Sequence, residues 1–205
     1  MTALTLIHTA EVHRGTFDAL AARIAPGARL VHVVRPDWLA RAQDGIAADL
    51  ADEIEAEIAA APGAVLCSCT TLGPVAGAAG AVRIDAPMMA LAARTGGPVL
   101  LAYCLESTQD ASRALLEAAF AAVGTTGEVR MLDLGDLWGL FEAGDTEGFA
   151  QEIAGRVEAE LRAAPGTGCV VLAQASMAGA AAHIAAGVPV LTSPETALRA
   201  ALGLT

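Results

Sequence analysis

The sequence predicts an α/β protein of two pseudosymmetric lobes. Each lobe is a four-stranded, mainly parallel sheet flanked by helices, with an active-site cleft between the two. Three observations lead there. Short apolar runs of β type alternate with longer Ala-rich runs of helical type, the rhythm of strand–helix–strand units. The strand runs are continuously apolar, as parallel strands covered on both faces are. The second half of the chain also repeats the order of elements in the first.

The first four strands are expected at Leu4–His8, Arg29–Val34, Ala64–Cys69 and Val82–Ile84. Between and after them, helices are expected at Gly15–Ile24, Trp38–Ala61 and Pro87–Arg94. Within the long one, Ile46, Leu50, Ile54 and Ile58 recur every fourth residue and form a stripe to bury. Asp49, Asp52, Glu53, Glu55 and Glu57 make an acidic outer face. The second four strands are expected at Val99–Cys104, Glu128–Leu132, Gly168–Gln174 and Val188–Thr192. Their helices are Thr108–Val123, Thr146–Ala164, Met177–Ala186 and Pro194–Ala201. The two halves align. Leu4–His8 parallels Val99–Tyr103, and Gly27–Val33 parallels Gly127–Leu132. The run from Pro62-Gly63 to Gly73 parallels Pro165-Gly166 and, after a two-residue insertion, Cys169 to Ala178. In this register Cys69 pairs with Gln174. The junction is the turn cluster Thr95-Gly96-Gly97-Pro98. The lobes are therefore residues 1–95, with the C-terminal segment 193–205 as a candidate addition, and 96–192.

Composition narrows the function. The chain has 205 residues, 55% apolar and 17% charged, enough to bury a core and incompatible with disorder as the main state. Its net charge of −11 disfavours nucleic acid, whose phosphates need a basic face. All basic residues are Arg. Without Lys there is no Schiff base, no pyridoxal-phosphate anchor and no P-loop Lys. No apolar run approaches the roughly 20 residues of a membrane span. Met1–Ala10 lacks the basic and long apolar regions of a signal peptide. Cys67, Cys69, Cys104 and Cys169 lie mostly in or at the ends of apolar runs, unlike a secreted disulfide scaffold. A cytoplasmic protein with free thiols, no membrane partner and no cofactor is expected. Cys67-Ser68-Cys69 lacks the second ligand pair of a metal site, so no metal is expected. G-x-S-x-G is absent, and no G-x-G-x-x-G follows the first strand.

Ligands of parallel α/β sheets bind at the carboxyl ends of strands, where loops enter helices. Here those ends read His8-Thr9, Cys69-Thr70-Thr71, Glu106-Ser107-Thr108 and Gln174-Ala175-Ser176. Hydroxyls and unpaired backbone N–H groups at helix starts suit a carboxylate. Cys69 is the sharpest of these residues. A thiol before the turn Thr70–Pro74 faces the positive end of a helix, which lowers its pKa from the usual ~8.5. A thiolate can accept a proton from a carbon acid or attack an electrophile. Cys67, Cys104 and Cys169 are assigned to packing.

Leu66-Cys67-Ser68-Cys69-Thr70-Thr71 resembles the first cysteine motif of the cofactor-independent aspartate/glutamate (hydantoin) racemase superfamily. Val171–Ala178 is similar to its second motif, in the hydantoin racemase form. Val82–Met88, Leu6-Ile7-His8-Thr9 and Thr16–Leu20 resemble uncharacterised members. The resemblance spans nearly the whole chain. It implies two lobes, no cofactor, a small carboxylate substrate and, by analogy, a homodimer. It also implies that Cys69 is the first catalytic Cys and that Thr70 and Thr71 bind the carboxylate. Ala175 and Ser176 follow the second Cys position, and His8, Thr9, Ser107 and Thr108 are further lining candidates. The departure is Gln174, which stands where the second Cys belongs. An amide moves no proton near neutral pH, although it can hold an oxyanion or carboxylate. The expected function is chemistry at the α-carbon of a small carboxylate through Cys69, racemase- or isomerase-like. The alternatives are a non-catalytic small-carboxylate-binding protein, or a single-Cys decarboxylase or cis-trans isomerase.

Overall fold

The computed structural model describes residues 3–204; Met1, Thr2 and Thr205 of the expected first lobe lie outside them. The chain divides into two compact units, Met1–Pro87 with Pro194–Thr205, and Met88–Ser193.

The first unit is built on β1 (Ala3–His8), β2 (Arg29–Val34), β3 (Ala64–Cys67) and β4 (Val82–Arg83), in the order β2-β1-β3-β4. Every pairing is parallel, with Leu6 opposite His32 and Leu66. Its helices are α1 (Val12–Ile24), α2 (Pro36–Arg41), α3 (Ala48–Ala60) and α4 (Gly73–Ala78). Leu50, Ile54 and Ile58 of α3 pack on Ile7, Val65 and Cys67, as their spacing requires.

The second unit repeats the plan with β5 (Val99–Tyr103), β6 (Val129–Asp133), β7 (Cys169–Leu172) and β8 (Val190–Thr192), in the order β6-β5-β7-β8. All its pairings are parallel too. It holds α5 (Ala86–Thr95, from Met88 on), α6 (Glu106–Ala122), α7 (Trp138–Glu142) and α8 (Thr146–Ala163). Asp145 caps α8, its carboxylate accepting from the Gly148 N–H at 2.9 Å.

Four details differ from the sequence reading. The helix expected over Trp38–Ala61 is two helices, broken around Gly45, whose φ of +111° suits only glycine. The break lets Trp38 bury fully and donate its indole N–H to Glu53 at 3.1 Å. Arg35 and Arg41 also reach Glu53, and Arg41 reaches Asp49, so part of the acidic face is neutralised. The helix expected over Met177–Ala186 is a 3-10 helix over Ala175–Ala182. A 3-10 turn at Gly135–Leu137 and α7 fill a stretch with no expected element. There Leu137, Trp138 and Phe141 cover the core around Phe149. Finally, the expected junction at 95/96 lies at the end of α5, but the division falls before Met88. Met88, Met89, Ala92 and Ala93 are buried among Leu101, Tyr103 and Val171 of the second unit. Conversely, α9 (Ser193–Ala201), from Pro194 on, belongs to the first unit, where Glu195 pairs with Arg23 at 2.6 Å.

Candidate active site

The site starts from sheet register. Ile7 of β1 lies opposite Cys67 of β3, and the pairing runs on through the Ser68 N–H, which donates to the Ile7 carbonyl at 2.8 Å. Side chains alternate along a strand, so Thr9 and Cys69 leave the sheet edge on the same face. Strand β3 ends at Cys67, two residues earlier than expected, so Cys69 stands in the loop.

Cys69 is 8% exposed, and four donors converge on its sulfur. They are the Thr9 and Thr71 hydroxyls and the backbone N–H groups of Thr71 and Leu72. These favour the thiolate. Burial disfavours it more, and the net effect holds the thiol above its ordinary pKa. The expectation of a lowered pKa from a helix N-terminus is thus overturned. The helix after Cys69 begins only at Gly73 and is six residues long, so desolvation outweighs the local donors. Cys67 donates to the Cys69 carbonyl at 3.7 Å, and burial pushes its thiol up to about 12. It packs in the core, as expected. Thr70 and Thr71 are buried, and the Thr70 carbonyl accepts from the Gly73 N–H at 3.0 Å, closing the turn.

His8 was expected to line the site. It is fully buried, and both ring nitrogens are engaged inside its own unit. Nδ1 lies 2.7 Å from Ser68 Oγ and Nε2 lies 2.9 Å from His32 Nδ1. Burial first, then the nearby His13, His32 and Arg14, hold its pKa down at about 3.

The second unit presents the matching sheet edge. Ala102 lies opposite Leu172, so Cys104 and Gln174 occupy the places of Thr9 and Cys69. Gln174 is 7% exposed. Its Oε1 accepts from the backbone N–H of Cys104 at 2.6 Å and of Leu105 at 3.0 Å. Burial and the charges of Asp133 and Asp136 push the Cys104 thiol up to about 12. Ala175 opens the 3-10 helix. The Ser176 hydroxyl oxygen is buried without a hydrogen-bond partner among the described residues. Ser107 is half-buried in the first turn of α6. Thr108 is buried there, its N–H donating to the Leu105 carbonyl at 2.9 Å.

The structure thus gathers Thr9, Cys69 and Thr71 around one sulfur, and ties Gln174 to the end of β5. The sequence reading gave no site role to Ser68, Asp18 or the Leu72 N–H, and it named His32 only alongside His8, as a residue near a strand end that could face the cleft. His8 and His32 sit near the ends of adjacent strands, and that juxtaposition is the signal that links them. Among the described residues, no group of three or more His, Cys, Asp and Glu could hold a metal ion, and no helix is long and apolar enough to cross a membrane.

No family model and no curated protein matches the chain in sequence. Solved structures do match it in shape. Glutamate racemase from Francisella tularensis in complex with D-glutamate aligns with 98% of this chain and 80% of its own, at a TM-score of 0.70 and 12% identity. An aspartate racemase homologue from Pyrococcus horikoshii aligns with 99% and 98%, at 0.68 and 15% identity. Allantoin racemase from Klebsiella pneumoniae aligns with 100% and 90%, at 0.59 and 20% identity. Over nearly its whole length, then, the chain has the fold of these glutamate, aspartate-type and allantoin racemase structures.

Proposed function

We propose that this protein is a cofactor-independent enzyme acting at the α-carbon of a small carboxylate, with Cys69 as the proton-transferring group. The observation that carries this reading is the convergence of four donors on a buried sulfur. Burial favours the protonated thiol at rest. Once that proton is lost to solvent, the thiolate takes the α-proton while the Cα–H electron pair passes into the substrate's carboxylate. The thiol, after exchange with solvent, returns a proton to the same carbon. The Thr9 and Thr71 hydroxyls and the Thr71 and Leu72 N–H groups hold the thiolate form. Thr70, Ser176, the Gln174 amide and the backbone at Ala175 are the proposed carboxylate contacts, with Ser107 and Thr108 as further lining. His8 acts from behind rather than by touching substrate. The D-glutamate bound to the Francisella relative makes amino dicarboxylates the first substrates to try.

A second reading has its own observation. Gln174 Oε1 is spent on two backbone N–H groups, which is a structural use of the residue that stands where a second thiol would be. That favours a carboxylate-binding protein without turnover. One screen separates the two. The protein is incubated in deuterated water with D- and L-glutamate, D- and L-aspartate, and malonate, and α-proton exchange is followed by NMR alongside calorimetric binding. Exchange of at least one compound is the expected result. Binding without exchange would establish the second reading, and neither binding nor exchange would remove both.

A further inference from the structure

Three of the four histidines gather in the first unit, with ring centroids 5.2 Å apart for His8–His32 and 6.1 Å for His8–His13. Two of them belong to a chain of hydrogen bonds with a definite direction. His32 Nε2 lies 3.1 Å from Asp18 Oδ1 on α1. A carboxylate only accepts, so a neutral His32 carries its proton on Nε2 and leaves Nδ1 bare. His8 must then donate from Nε2 to that nitrogen at 2.9 Å, which leaves its own Nδ1 bare. Ser68 Oγ, 2.7 Å away, donates to it. One exposed carboxylate thus orders every proton as far as a hydroxyl that is 3% exposed.

We infer that the chain Ser68–His8–His32–Asp18 is a positioning device for the Cys69 thiol, an inference that rests on Cys69 being the reactive group. The relay meets the site at two points. Ser68 directly precedes Cys69, so the grip on its hydroxyl fixes the stretch of loop that carries the sulfur. His8 directly precedes Thr9, whose hydroxyl donates to that sulfur. Fixing the His8 ring therefore sets both the sulfur and one of its donors. The sheet does not need the relay for its own pairing. The Ser68 N–H to Ile7 carbonyl bond at 2.8 Å and the Arg35 N–H to His8 carbonyl bond at 2.8 Å already extend both strand pairings past their ends. Burying a hydroxyl and an imidazole beside Phe17 is costly unless both are paired. The ring of His8, with neither nitrogen left over, has no capacity to bind substrate. Its remaining role is to orient what does.

Two readouts on the whole chain test this. Long-range proton–nitrogen NMR of histidine-labelled protein near neutral pH should find Nε2 protonated and Nδ1 bare in both His8 and His32. Mass spectrometry after iodoacetamide treatment then follows each cysteine separately. Ser68→Ala should change the Cys69 rate about fivefold or more, with Cys169 of the other unit unmoved. Asp18→Ala, at the exposed end where folding is safe, should scramble the His32 tautomer and move the Cys69 rate about twofold in the same direction. Asp18→Asn, which keeps an acceptor oxygen, should restore both. A protonated Nδ1 on either histidine overturns the inference, as does an unmoved Cys69 in both alanine variants. Parallel changes at Cys69 and Cys169 also overturn it, since they mean general loosening of the fold. If Cys69 proves dispensable for α-proton exchange while these tautomers and rates hold, the enzyme reading fails instead, and the two failures are told apart.

Discussion

At the scale of single residues, the balance at Cys69 is between desolvation and donors. A hydrogen bond to a charged group is worth about 1.5–3 kcal/mol, which is about 1–2 pKa units. Thr9→Val removes one such donor. It should raise the apparent Cys69 pKa by about one unit, read from the pH profile of its alkylation. An unchanged profile would mean that the Thr9 hydroxyl does not serve the sulfur. The histidines make a second prediction. His8 and His13 are held at about 3 and about 4, chiefly by burial, against an ordinary value of 6.5. The unfolded chain therefore binds more protons than the folded one at acid pH. The stability that these groups contribute is complete above about 6.5 and is lost as pH falls from there toward their folded values. Urea unfolding should show a fall on the order of a few kcal/mol between pH 7.5 and pH 4.5, reduced in His8→Phe. The place of Cys69 was legible in the sequence because a Cys followed by two Thr closes an apolar run. Its raised pKa was not, because burial is set by α3 and the loop, which lie elsewhere in the chain.

At the scale of elements, the strands were the most legible, since Val, Leu and Ile runs have few other fates. The helix boundaries were less so. Of the i, i+4 stripe, Leu50, Ile54 and Ile58 lie buried in α3, whereas Ile46 precedes the helix. The stripe could not reveal the break before α3, because that break is made by Trp38 seeking burial against Glu53. The short helical pieces at Gly135–Leu137 and Trp138–Glu142 carry too few turns to show a period. Gly168, just before β7, has a clearer job. A Cβ there would overlap the Gly96 carbonyl oxygen, and the Gly168 N–H donates to the Pro98 carbonyl at 2.7 Å. Gly168→Ala should therefore cost roughly 2–4 kcal/mol, seen as a lowered Tm and a lower denaturant midpoint without loss of secondary structure at 25 °C. Wild-type stability in that variant would contradict the close approach of these two turns.

At the scale of the whole molecule, the internal repeat was visible as matched Pro-Gly turns and matched strand runs. The structure repeats one strand order in each unit. The sequence could not reveal that α5 joins the core of the second unit, because Met88 and Met89 are apolar enough for either. The repeat also frames the chemical question. The same sheet edge bears Thr9 and Cys69 in one unit and Cys104 and Gln174 in the other, so the ionisable group at the third strand survives in only one. Whether that one sulfur does the chemistry is decided by α-deuterium incorporation from deuterated water, using the best compound from the carboxylate screen. Wild type, Cys67→Ala and Cys69→Ala are compared side by side. The account predicts that incorporation persists in Cys67→Ala and falls by about a thousandfold or more in Cys69→Ala, with both variants folded. Incorporation at the wild-type rate in Cys69→Ala would contradict it.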